Sequence, residues 1–393
     1  MDKQPEKLNF EDTAIAFSAL SNNELNHMHN LFLLMNSQNI VNIGSKLTQW
    51  SISWHLPVQP LIKYTIYEQF CGGETLEKCD KIIAKLAQHN VGTILDYGVE
   101  AKDSENDLEK TAQYLVRTLQ YAATQDNINI ISSKISGLVS FDILEKVSTG
   151  TTLSSVEQTE WERGKRRVKF VCRAAFDADI NIYFDAEESW IQPAIDTLVN
   201  DMMAFYNKQR PIIFNTFQLY RHDRLAYLKE SYQMSVKNAY YLGAKLVRGA
   251  YLEKENERAK RYNYPTPIQP NKTATDRDYN DALVFCLDHL PQIAFCNATH
   301  NEESCQLLYQ QVSTRKILRN HPHIYTAQLY GMSDHISYNM AKAGFNVVKY
   351  LPYGPVKEVV PYLLRRAKEN TSVGGQISRE LSLIKKERKR RGL

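Results

Sequence analysis

Residues 180–218 read INIYFDAEESWIQPAIDTLVNDMMAFYNKQRPIIFNTFQ, and this stretch decides the fold. It begins with a short apolar run, Ile180–Asp185, and ends with a second one, Pro211–Gln218. The apolar residues between the two runs recur at the spacing of one helical face: Ile191, Ile195, Leu198 and Met202. Two short strands joined by an amphipathic helix form a βαβ unit, which predicts a parallel sheet.

The same rhythm extends in both directions along the chain. Six further apolar runs are separated by helix-like stretches, and they are Gly92–Val99, Ile128–Leu138, Ala244–Ala250, Ile293–Thr299, Ile324–Leu329 and Asn346–Tyr350. Eight strand–helix repeats predict an α/β fold closed into a (βα)8 barrel. An open, doubly wound sheet is the competing fold. It is less favoured because no glycine-rich dinucleotide turn follows an early strand.

The ends of the chain differ from this repeating part. Residues 1–90 contain no regular alternation and are interpreted as a helical cap or arm. The clearest helix there is Thr75–His89, with one apolar face formed by Leu76, Cys79, Ile82, Ile83 and Leu86. We therefore expect a helical segment at 1–90, a barrel domain at 91–380 and a basic tail at 381–393.

Charge is concentrated in that tail. The 393 residues carry 48 basic and 44 acidic side chains, a formal net charge of +4. The last nine residues contribute +5, from six basic residues and one acid, which leaves −1 for the rest of the chain. A hydrophobic fraction of 43% and a charged fraction of 23% exclude a disordered or low-complexity protein.

No window approaches 18 uncharged apolar residues, and the polar start resembles neither a secretory signal nor a transit peptide. The six cysteines contain no CxxC pair, and they are Cys71, Cys79, Cys172, Cys286, Cys296 and Cys305. We expect reduced thiols, many of them buried, and a cytoplasmic location.

Polar side chains stand at the ends of the predicted strands. They are Glu100, Lys134, Asp185, Gln218, Lys245, Arg248, Thr299, His300, Gln328 and Tyr350. In a (βα)8 barrel the catalytic groups lie at the carboxyl ends of the strands. Polar residues at any one strand end also have a purely structural explanation, but the series over all eight runs favours a site.

A second candidate feature lies after the eighth run. Gly354-Pro355 predicts a helix start, and Pro361 predicts a kink or a second start. The residues that follow share one helical face by their i, i+3, i+4 and i+7 spacing, and they are Tyr362, Arg365, Arg366 and Glu369. Two adjacent guanidinium groups can clamp a carboxylate or a phosphate. An Arg-Arg pair on a helix is also typical of an exposed, solvated face.

Four motifs together resemble the proline dehydrogenase family. They are YFDAEES at 183–189, LVRGAYLEKE at 246–255, ATHN at 298–301 and RRAKEN at 365–370. The likeness runs from about residue 90 to 375 and is to the single-function type, without an aldehyde dehydrogenase part. It implies a distorted (βα)8 flavoenzyme that uses FAD to oxidise L-proline to Δ1-pyrroline-5-carboxylate and passes electrons to a membrane quinone.

The resemblance also implies residue roles on the substrate side. Arg365, Arg366 and Lys134 match the residues that bind the substrate carboxylate. Tyr350, Tyr362 and Leu246 match residues that pack on the proline ring. Glu100 matches an acid that pairs with the arginines as a gate, and Asp185 matches the active-site aspartate.

On the cofactor side, the family's flavin-holding positions fall on Gln218, Arg248, Gly249, Ala250, Thr299 and His300. Lys245 stands where many bacterial members have an arginine near flavin N5, so the positive charge is kept and the planar fork is lost. The implied catalytic set is Asp185, Lys245 and Tyr350, with no metal.

Three other interpretations stay open at this point. Hydroxyproline oxidation would use the same scaffold, and a Schiff-base aldolase would use Lys134 or Lys245. A non-enzyme would bind nucleic acid or a membrane through the tail. The near-neutral body disfavours nucleic acid. The family resemblance implies L-proline and a quinone as partners, and no nucleic acid is expected. The basic tail is typical either of a solvated terminus or of a contact with the inner face of the cytoplasmic membrane.

Overall fold

A computed structural model describes residues 7–36, 63–98, 104–359, 363 and 376–393 of the chain. Eight strands, numbered β1 to β8, are Val91–Tyr97, Ile130–Lys134, Asn181–Asp185, Ile213–Gln218, Leu242–Val247, Ile293–Ala298, Ile324–Leu329 and Val347–Tyr353. They follow one another in chain order around a closed barrel. Each paired register among them that the structure describes is parallel. The predicted (βα)8 fold is confirmed, and the open sheet is excluded.

Helices lie between the strands and at both ends. Numbered α1 to α14 in chain order, they are Thr13–Ala16, Asn22–Met35, Glu68–Phe70, Leu76–Ala87, Glu105–Ala122, Phe141–Ser148, Ser155–Ala178, Gln192–Tyr206, Arg224–Lys237, Leu252–Tyr262, Lys272–Asp288, Glu302–Thr314, Asp334–Lys342 and Gln376–Arg391. A π-helical turn, Lys63–Tyr67, precedes α3, and a 3₁₀ turn, Ile135–Gly137, follows β2.

Local chemistry sets several of the helix ends. At the start of α7, Ser154 accepts a hydrogen bond from the Glu157 backbone N–H, and the Glu157 side chain accepts one from the Ser154 N–H at 2.8 Å. This capping box satisfies amide groups that have no partner within the helix. The helix ends at Asp179, whose φ of 58° is left-handed. A short turn there leads directly into β3.

The helical faces match the predicted periodicity with small shifts. Leu76, Cys79, Ile83 and Leu86 of α4 are buried, as expected, whereas Ile82 is half-buried. On α8 the last residue of the apolar face is Met203, which is fully buried, and the predicted Met202 is half-buried. A helix turns 100° per residue, so a one-residue shift selects the side chain nearer the core.

Five strand ends differ from the prediction, those of β1, β2, β5, β6 and β8. The run ending at Leu138 stops as a strand at Lys134, because residues 135–137 turn into the 3₁₀ segment. The run placed to end at Tyr350 continues as β8 to Tyr353. The placement of Tyr350 at a strand end is therefore wrong, and Tyr350 lies in the middle of its strand.

The chain divides into two compact units. One consists of Met1–Lys7 and Ala101–Thr326, and the other of Leu8–Glu100 and Ala327–Leu393. We call them the central unit and the terminal unit. The central unit contains β2 to β6, whose side chains are almost entirely buried. Burial on both faces is typical of strands covered by helices in an α/β fold.

The terminal unit has its own hydrophobic core, in which α2 and α14 pack side by side. Leu25, Phe32, Leu381 and Ile384 are among its buried members. Helix α14 includes the basic residues that the sequence analysis assigned to a tail. The boundaries 1–90, 91–380 and 381–393 themselves stay a prediction.

Polar contacts fix α14 against the first two helices. Glu387 is fully buried and accepts hydrogen bonds from Arg390 and Arg391. Arg391 also donates to the backbone carbonyls of Phe17 and Leu20, each at 2.8 Å. Part of the basic cluster is therefore used inside the fold.

All six cysteines are unpaired thiols and are buried, as predicted. Within the described part of the chain, no helix is long and apolar enough to span a bilayer.

Candidate active site

The predicted site residues Asp185 and Lys245 form an ion pair in the central unit. The Lys245 Nζ donates to Asp185 Oδ1 at 2.6 Å, and the Ser132 hydroxyl donates to the same oxygen at 3.0 Å. The side chains are 7% and 17% exposed, so each charge is largely removed from water and depends on the other. The ion pair reaches from the end of β3 to β5 and crosses the intervening strand β4.

Arg248, directly after β5, is held by three side chains. Its Nε donates to Asp276 Oδ1 at 2.7 Å, one terminal nitrogen donates to the Thr299 hydroxyl at 2.7 Å, and the other donates to the Ser304 hydroxyl at 3.0 Å. The guanidinium also lies over the Tyr279 ring, 4.3 Å from its centroid. These contacts fix the cation in one orientation.

Asp276 is the anion that balances this cation. Burial alone would raise the pKa of the Asp276 carboxyl, but hydrogen bonds from Lys272 and Arg248 lower it overall. Asp276 therefore stays ionised, and the Arg248 guanidinium keeps its partner over the physiological pH range.

The backbone at Gly249 accepts only glycine. Its φ is 139°, and a Cβ atom at this position would lie 2.3 Å from the Tyr220 ring. Gly249 and Ala250 are exposed, so their backbone groups remain accessible beside Arg248. The glycine permits a close approach to the backbone that any side chain would block.

Lys134 and Gln218 complete the strand ends of this unit. Lys134 is the last residue of β2 and is the Cα partner of Asp185 in the parallel register. Gln218 is the last residue of β4, and its amide donates to the backbone carbonyl of Glu187 at 2.8 Å. Lys134 and Asp185 are thus neighbours across β2 and β3, and Gln218 ends the next strand, β4.

Thr299 and His300 follow β6. The Thr299 hydroxyl accepts from Arg248 and, at 3.1 Å, from the Asn301 backbone N–H. His300 is half-buried in the same turn, immediately before α12. Leu246, predicted to pack on the substrate ring, is fully buried in β5. These positions agree with strand-end locations, while the individual roles stay predictions.

The remaining predicted residues belong to the terminal unit. Tyr350 is 7% exposed, and its backbone carbonyl accepts from the Tyr330 N–H at 2.9 Å. Gln328, in β7, accepts from the Ser337 hydroxyl at 2.8 Å. Outside the described residues lie Glu100, Pro361, Tyr362, Arg365, Arg366 and Glu369.

Two acids that the sequence analysis did not select organise the loop after β3. Glu187 is 3% exposed and accepts from both the backbone N–H and the hydroxyl of Ser136. Glu255, in α10, is fully buried and accepts from the Ser189 N–H and hydroxyl, each at 2.6 Å. Both acids lie inside motifs quoted above, YFDAEES and LVRGAYLEKE, and that position was the only signal for them.

A clamp from α10 reinforces the same loop. Lys254 pairs with Glu188 at 2.9 Å, and the Arg258 guanidinium lies 4.4 Å from the centroid of the Trp190 ring. Together with Glu255, these residues hold the segment that follows Asp185 on several sides. The loop is therefore rigidly placed relative to β3.

The donor set fits a flavin dinucleotide. A pyrophosphate needs cationic and backbone donors, which Arg248 and the exposed amides around Gly249 can supply. A flavin ring is stabilised in its reduced form by a nearby cation, and Lys245 is held in place by Asp185. The glycine at 249 lets the backbone after β5 lie against the Tyr220 ring, where a larger residue would clash.

Residues 79–379 match the family described as proline dehydrogenase. The carbapenem antibiotics biosynthesis protein CarD of Pectobacterium carotovorum subsp. carotovorum is 36% identical over 322 residues, covering 82% of this chain and 83% of that protein. The mitochondrial proline dehydrogenase 1 of Dictyostelium discoideum is 33% identical over 404 residues, covering 92% of this chain and 70% of that protein.

Among solved structures, proline utilization A of Bdellovibrio bacteriovorus superposes with a TM-score of 0.73 at 18% sequence identity. The match covers 93% of this chain and 38% of that chain, so this chain spans about two fifths of that larger protein. At this identity the likeness concerns the fold alone.

Proposed function

Because this chain belongs to the proline dehydrogenase family, we propose that it oxidises L-proline to Δ1-pyrroline-5-carboxylate with FAD and passes the electrons to a membrane quinone. The proposal rests on one structural observation above all. Two cations on and just after β5, Lys245 and Arg248, are held by Asp185 and Asp276, and the exposed backbone of Gly249 and Ala250 follows directly. A bound dinucleotide needs such an array of fixed positive charge.

On the cofactor side, the residues that would hold FAD are Gln218, Lys245, Arg248, Gly249, Ala250, Thr299 and His300. Arg248 would face the pyrophosphate, because its guanidinium is already oriented by Thr299 and Ser304. When bound, FAD supplies the acceptor for a hydride. Lys245 would stabilise the negative charge that accumulates on that acceptor, and Asp185 keeps the lysine in position.

On the substrate side, Lys134 would bind the proline carboxylate together with Arg365 and Arg366. Tyr350, Tyr362 and Leu246 would pack on the ring, and Glu100 would pair with the arginines when no substrate is bound. Isolated cations are unfavourable away from water, so each needs a carboxylate from the substrate or from the gate. This balance explains why the family pattern combines three cations with one acid.

Proline oxidation depends mainly on how the proline ring is oriented towards the hydride acceptor. Oxidation removes a hydride from the ring carbon next to nitrogen and a proton from the nitrogen, and a C=N bond forms between them. The amine must be deprotonated before the hydride can leave. Neighbouring cations favour the neutral amine by like-charge repulsion, and a ring held in a reactive orientation lowers the barrier further.

Electron transfer to a membrane quinone would bring the protein to a lipid surface. Exposed basic residues of α14, such as Lys385 and Lys389, would contact anionic lipid on the inner face of the cytoplasmic membrane. Arg388 and Arg391 are less suited to this contact, because they bond to His29 and to backbone carbonyls of Phe17 and Leu20.

Steady-state turnover tests the proposal. The purified protein, saturated with FAD, is assayed with a soluble quinone analogue and either L-proline or hydroxyproline. We expect kcat/KM to be clearly higher for proline. Equal values would favour the hydroxyproline alternative, and no turnover with either amino acid would contradict the proposed function.

The aldolase alternative finds less support. A Schiff-base lysine must present a free amine lone pair to a carbonyl. Lys245 instead donates to Asp185 at 2.6 Å. Borohydride treatment with a carbonyl substrate should therefore leave no covalent adduct on Lys245, and a trapped adduct would revive the aldolase reading.

A further inference from the structure

Glu187 is a buried acid with no part in the chemistry described above. It lies two residues after Asp185, in the loop that joins β3 to α8, and its side chain is 3% exposed. A carboxyl group in such a place must be matched by donors, because burial without partners is strongly unfavourable. The identity of its partners therefore indicates what it does.

The side chain of Glu187 connects β3 to the end of β2. One carboxylate oxygen accepts from the Ser136 backbone N–H at 3.0 Å, and the other accepts from the Ser136 hydroxyl. Ser136 lies in the 3₁₀ turn that begins directly after Lys134. The carboxyl therefore holds the 3₁₀ turn in place, and this turn fixes the backbone that directly follows Lys134.

The backbone of Glu187 connects the same loop to β4. Its carbonyl accepts from the Gln218 amide at 2.8 Å, and its N–H donates to the Gln192 side chain at 2.8 Å. Gln192 in turn donates to Asp196, which pairs with Arg224. One residue thus ties together the ends of β2, β3 and β4 with every polar group satisfied.

Charge at Glu187 is sensitive to the neighbouring residues. Burial raises the pKa of the Glu187 carboxyl to about 7, against the lowering effect of the two Ser136 hydrogen bonds and of the Lys134 charge. The negative charge of Glu188 raises the pKa of Glu187 further. Lys254 pairs with Glu188 at 2.9 Å. The charges of Lys134 and Glu187 therefore interact electrostatically.

We propose that Glu187 is a positioning residue that sets the place of Lys134 relative to Asp185 and Gln218, and so tunes binding of the substrate carboxylate. The inference rests on the proposed function, because it assigns Lys134 to that carboxylate. We assign Glu187 no direct contact with substrate or cofactor. Its effect is expected on substrate affinity more than on the chemical step.

Three variants separate this role from a merely structural one. Glu187→Ala removes both contacts with Ser136. Glu187→Gln keeps an acceptor for the Ser136 N–H and a donor for its hydroxyl, but it cannot ionise. Glu188→Gln is the matched control, because it alters a neighbouring buried acid that contacts Lys254 instead of Ser136.

Steady-state kinetics with L-proline give the first readout. We expect Glu187→Ala to raise KM about tenfold or more, with a smaller change in kcat, because a lost buried hydrogen-bond pair acts here on ground-state binding. Glu187→Gln should stay within about threefold of wild type, and Glu188→Gln should match it. The effect of Glu187→Ala on KM should largely vanish when Lys134 is already replaced by methionine, because Glu187 acts on substrate binding through Lys134.

The pH profile gives a second readout, which a structural role would not move. Near pH 6 the wild-type carboxyl is mostly neutral, and near pH 8 it is mostly charged and offsets Lys134. The wild-type KM, relative to that of Glu187→Gln, should therefore rise about two- to threefold across this range. If Glu187→Ala does not fold, this comparison decides alone.

The outcomes are distinct from those of the proposed function. Wild-type protein without proline turnover would overturn the proposed function and this inference with it. Active wild-type protein overturns the inference alone if Glu187→Ala keeps the wild-type KM, or if the ratio of KM values between wild type and Glu187→Gln does not change with pH.

Discussion

Each of the two units contains a buried lysine–aspartate ion pair, and the two pairs differ in burial and in their other hydrogen-bond partners. In the central unit Lys245 lies 2.6 Å from Asp185, and in the terminal unit Lys349 lies 2.7 Å from Asp334. The first pair keeps some contact with solvent, with side chains 7% and 17% exposed. The second is more deeply buried, at 1% and 9%.

The partners of each pair explain the difference. Asp185 also accepts from the Ser132 hydroxyl, and Lys245 lies on β5, the strand that leads to Arg248 and Gly249 of the candidate flavin site. Lys349 also donates to the Met332 carbonyl at 2.5 Å and to the Leu329 carbonyl at 3.4 Å. The first pair therefore presents a cation, whereas the second uses its cation to hold a loop.

The loop held by Lys349 is a junction of the terminal unit. Ser333, with a left-handed φ of 52°, donates its N–H to Glu380 of α14 at 2.7 Å. The Gln69 side chain donates to the Gly331 carbonyl at 2.9 Å. The two pairs differ in depth of burial and in backbone contacts more than in pair geometry. On this difference we assign a structural role to the Lys349 pair and propose a functional role for the Lys245 pair.

Removing Lys349 should have the largest effect. Lys349→Met leaves Asp334 and Glu380 buried without their cation, so we expect the free energy of unfolding to fall by about 3–5 kcal/mol. Denaturant unfolding measures this. The control is Lys389→Met on the exposed face of α14, which should change little. A loss below about 0.5 kcal/mol for Lys349→Met would contradict a structural role for the Lys349–Asp334 pair.

Removing Lys245 should act on catalysis instead. Lys245→Met removes a fixed cation at the candidate flavin site, so we expect kcat with proline to fall about 100-fold. Stability should fall less than for Lys349→Met, by about 1–2 kcal/mol, because Asp185 keeps its Ser132 donor and some solvent.

Two controls sharpen the Lys245 result. Lys245→Arg should retain activity within about tenfold, since the positive charge is kept. Lys146→Met disrupts a surface pair with Glu157 in the same unit and should leave turnover unchanged. Wild-type kcat in Lys245→Met would show that the pair is structural, like that of Lys349.

A third prediction concerns pH and the terminal unit. Burial raises the pKa of the Glu380 carboxyl despite His335, Ser333 and Lys349. A group with a raised native pKa contributes stability that is present below its unfolded value, near 4.5, and is lost as pH rises through the native value. The stability of Glu380→Gln relative to wild type should therefore improve as pH rises from about 4.5.

Glu11 supplies the opposite control for this measurement. Hydrogen bonds from Arg379 and Lys386 lower its pKa, so its contribution is present above about 4.5 and is lost as pH falls through the lower native value. Glu11→Gln should be less stable than wild type at neutral pH and approach it in acid. Parallel pH trends in the two variants would contradict the assignment of their environments.

We expect the smallest effect from replacing the solvent-exposed lysines of α14. Replacing Lys385 and Lys389 together by glutamine should weaken sedimentation with anionic liposomes several-fold and leave turnover with a soluble acceptor unchanged. Point substitutions are preferable to truncation after Ile384, which would also remove the buried Glu387 and the Arg391 contacts of α14. Unchanged sedimentation would reject membrane binding through α14.

Much of the barrel could be predicted from periodicity alone. Every apolar run overlaps one of the eight strands, because a strand buried on both faces appears in the sequence as a short continuous apolar segment. The end of β8 was misplaced, since Leu351, Pro352 and Tyr353 look like the start of a loop while pairing with β1. Proline at a strand end gives no local sign that the register continues.

The candidate site was predicted unevenly for a physical reason. Asp185, Lys245 and Arg248 could be found because unusual polar residues interrupt apolar runs. Glu187 and Glu255 could not, because acids in loops and on helices are usually exposed. Their burial depends on tertiary partners, Ser136 and Ser189, that lie 51 and 66 residues away in sequence. The packing of α14 into the core of the terminal unit could not be predicted either, because its many basic residues look like those of a solvated tail.

The absorbance spectrum of the purified wild-type protein, recorded without oxygen before and after addition of L-proline, tests whether the chain oxidises proline with a bound flavin. We expect a flavin spectrum that L-proline bleaches and a quinone analogue restores. Protein that cannot be loaded with FAD, or a flavin spectrum that L-proline leaves unchanged, would contradict the proposed function.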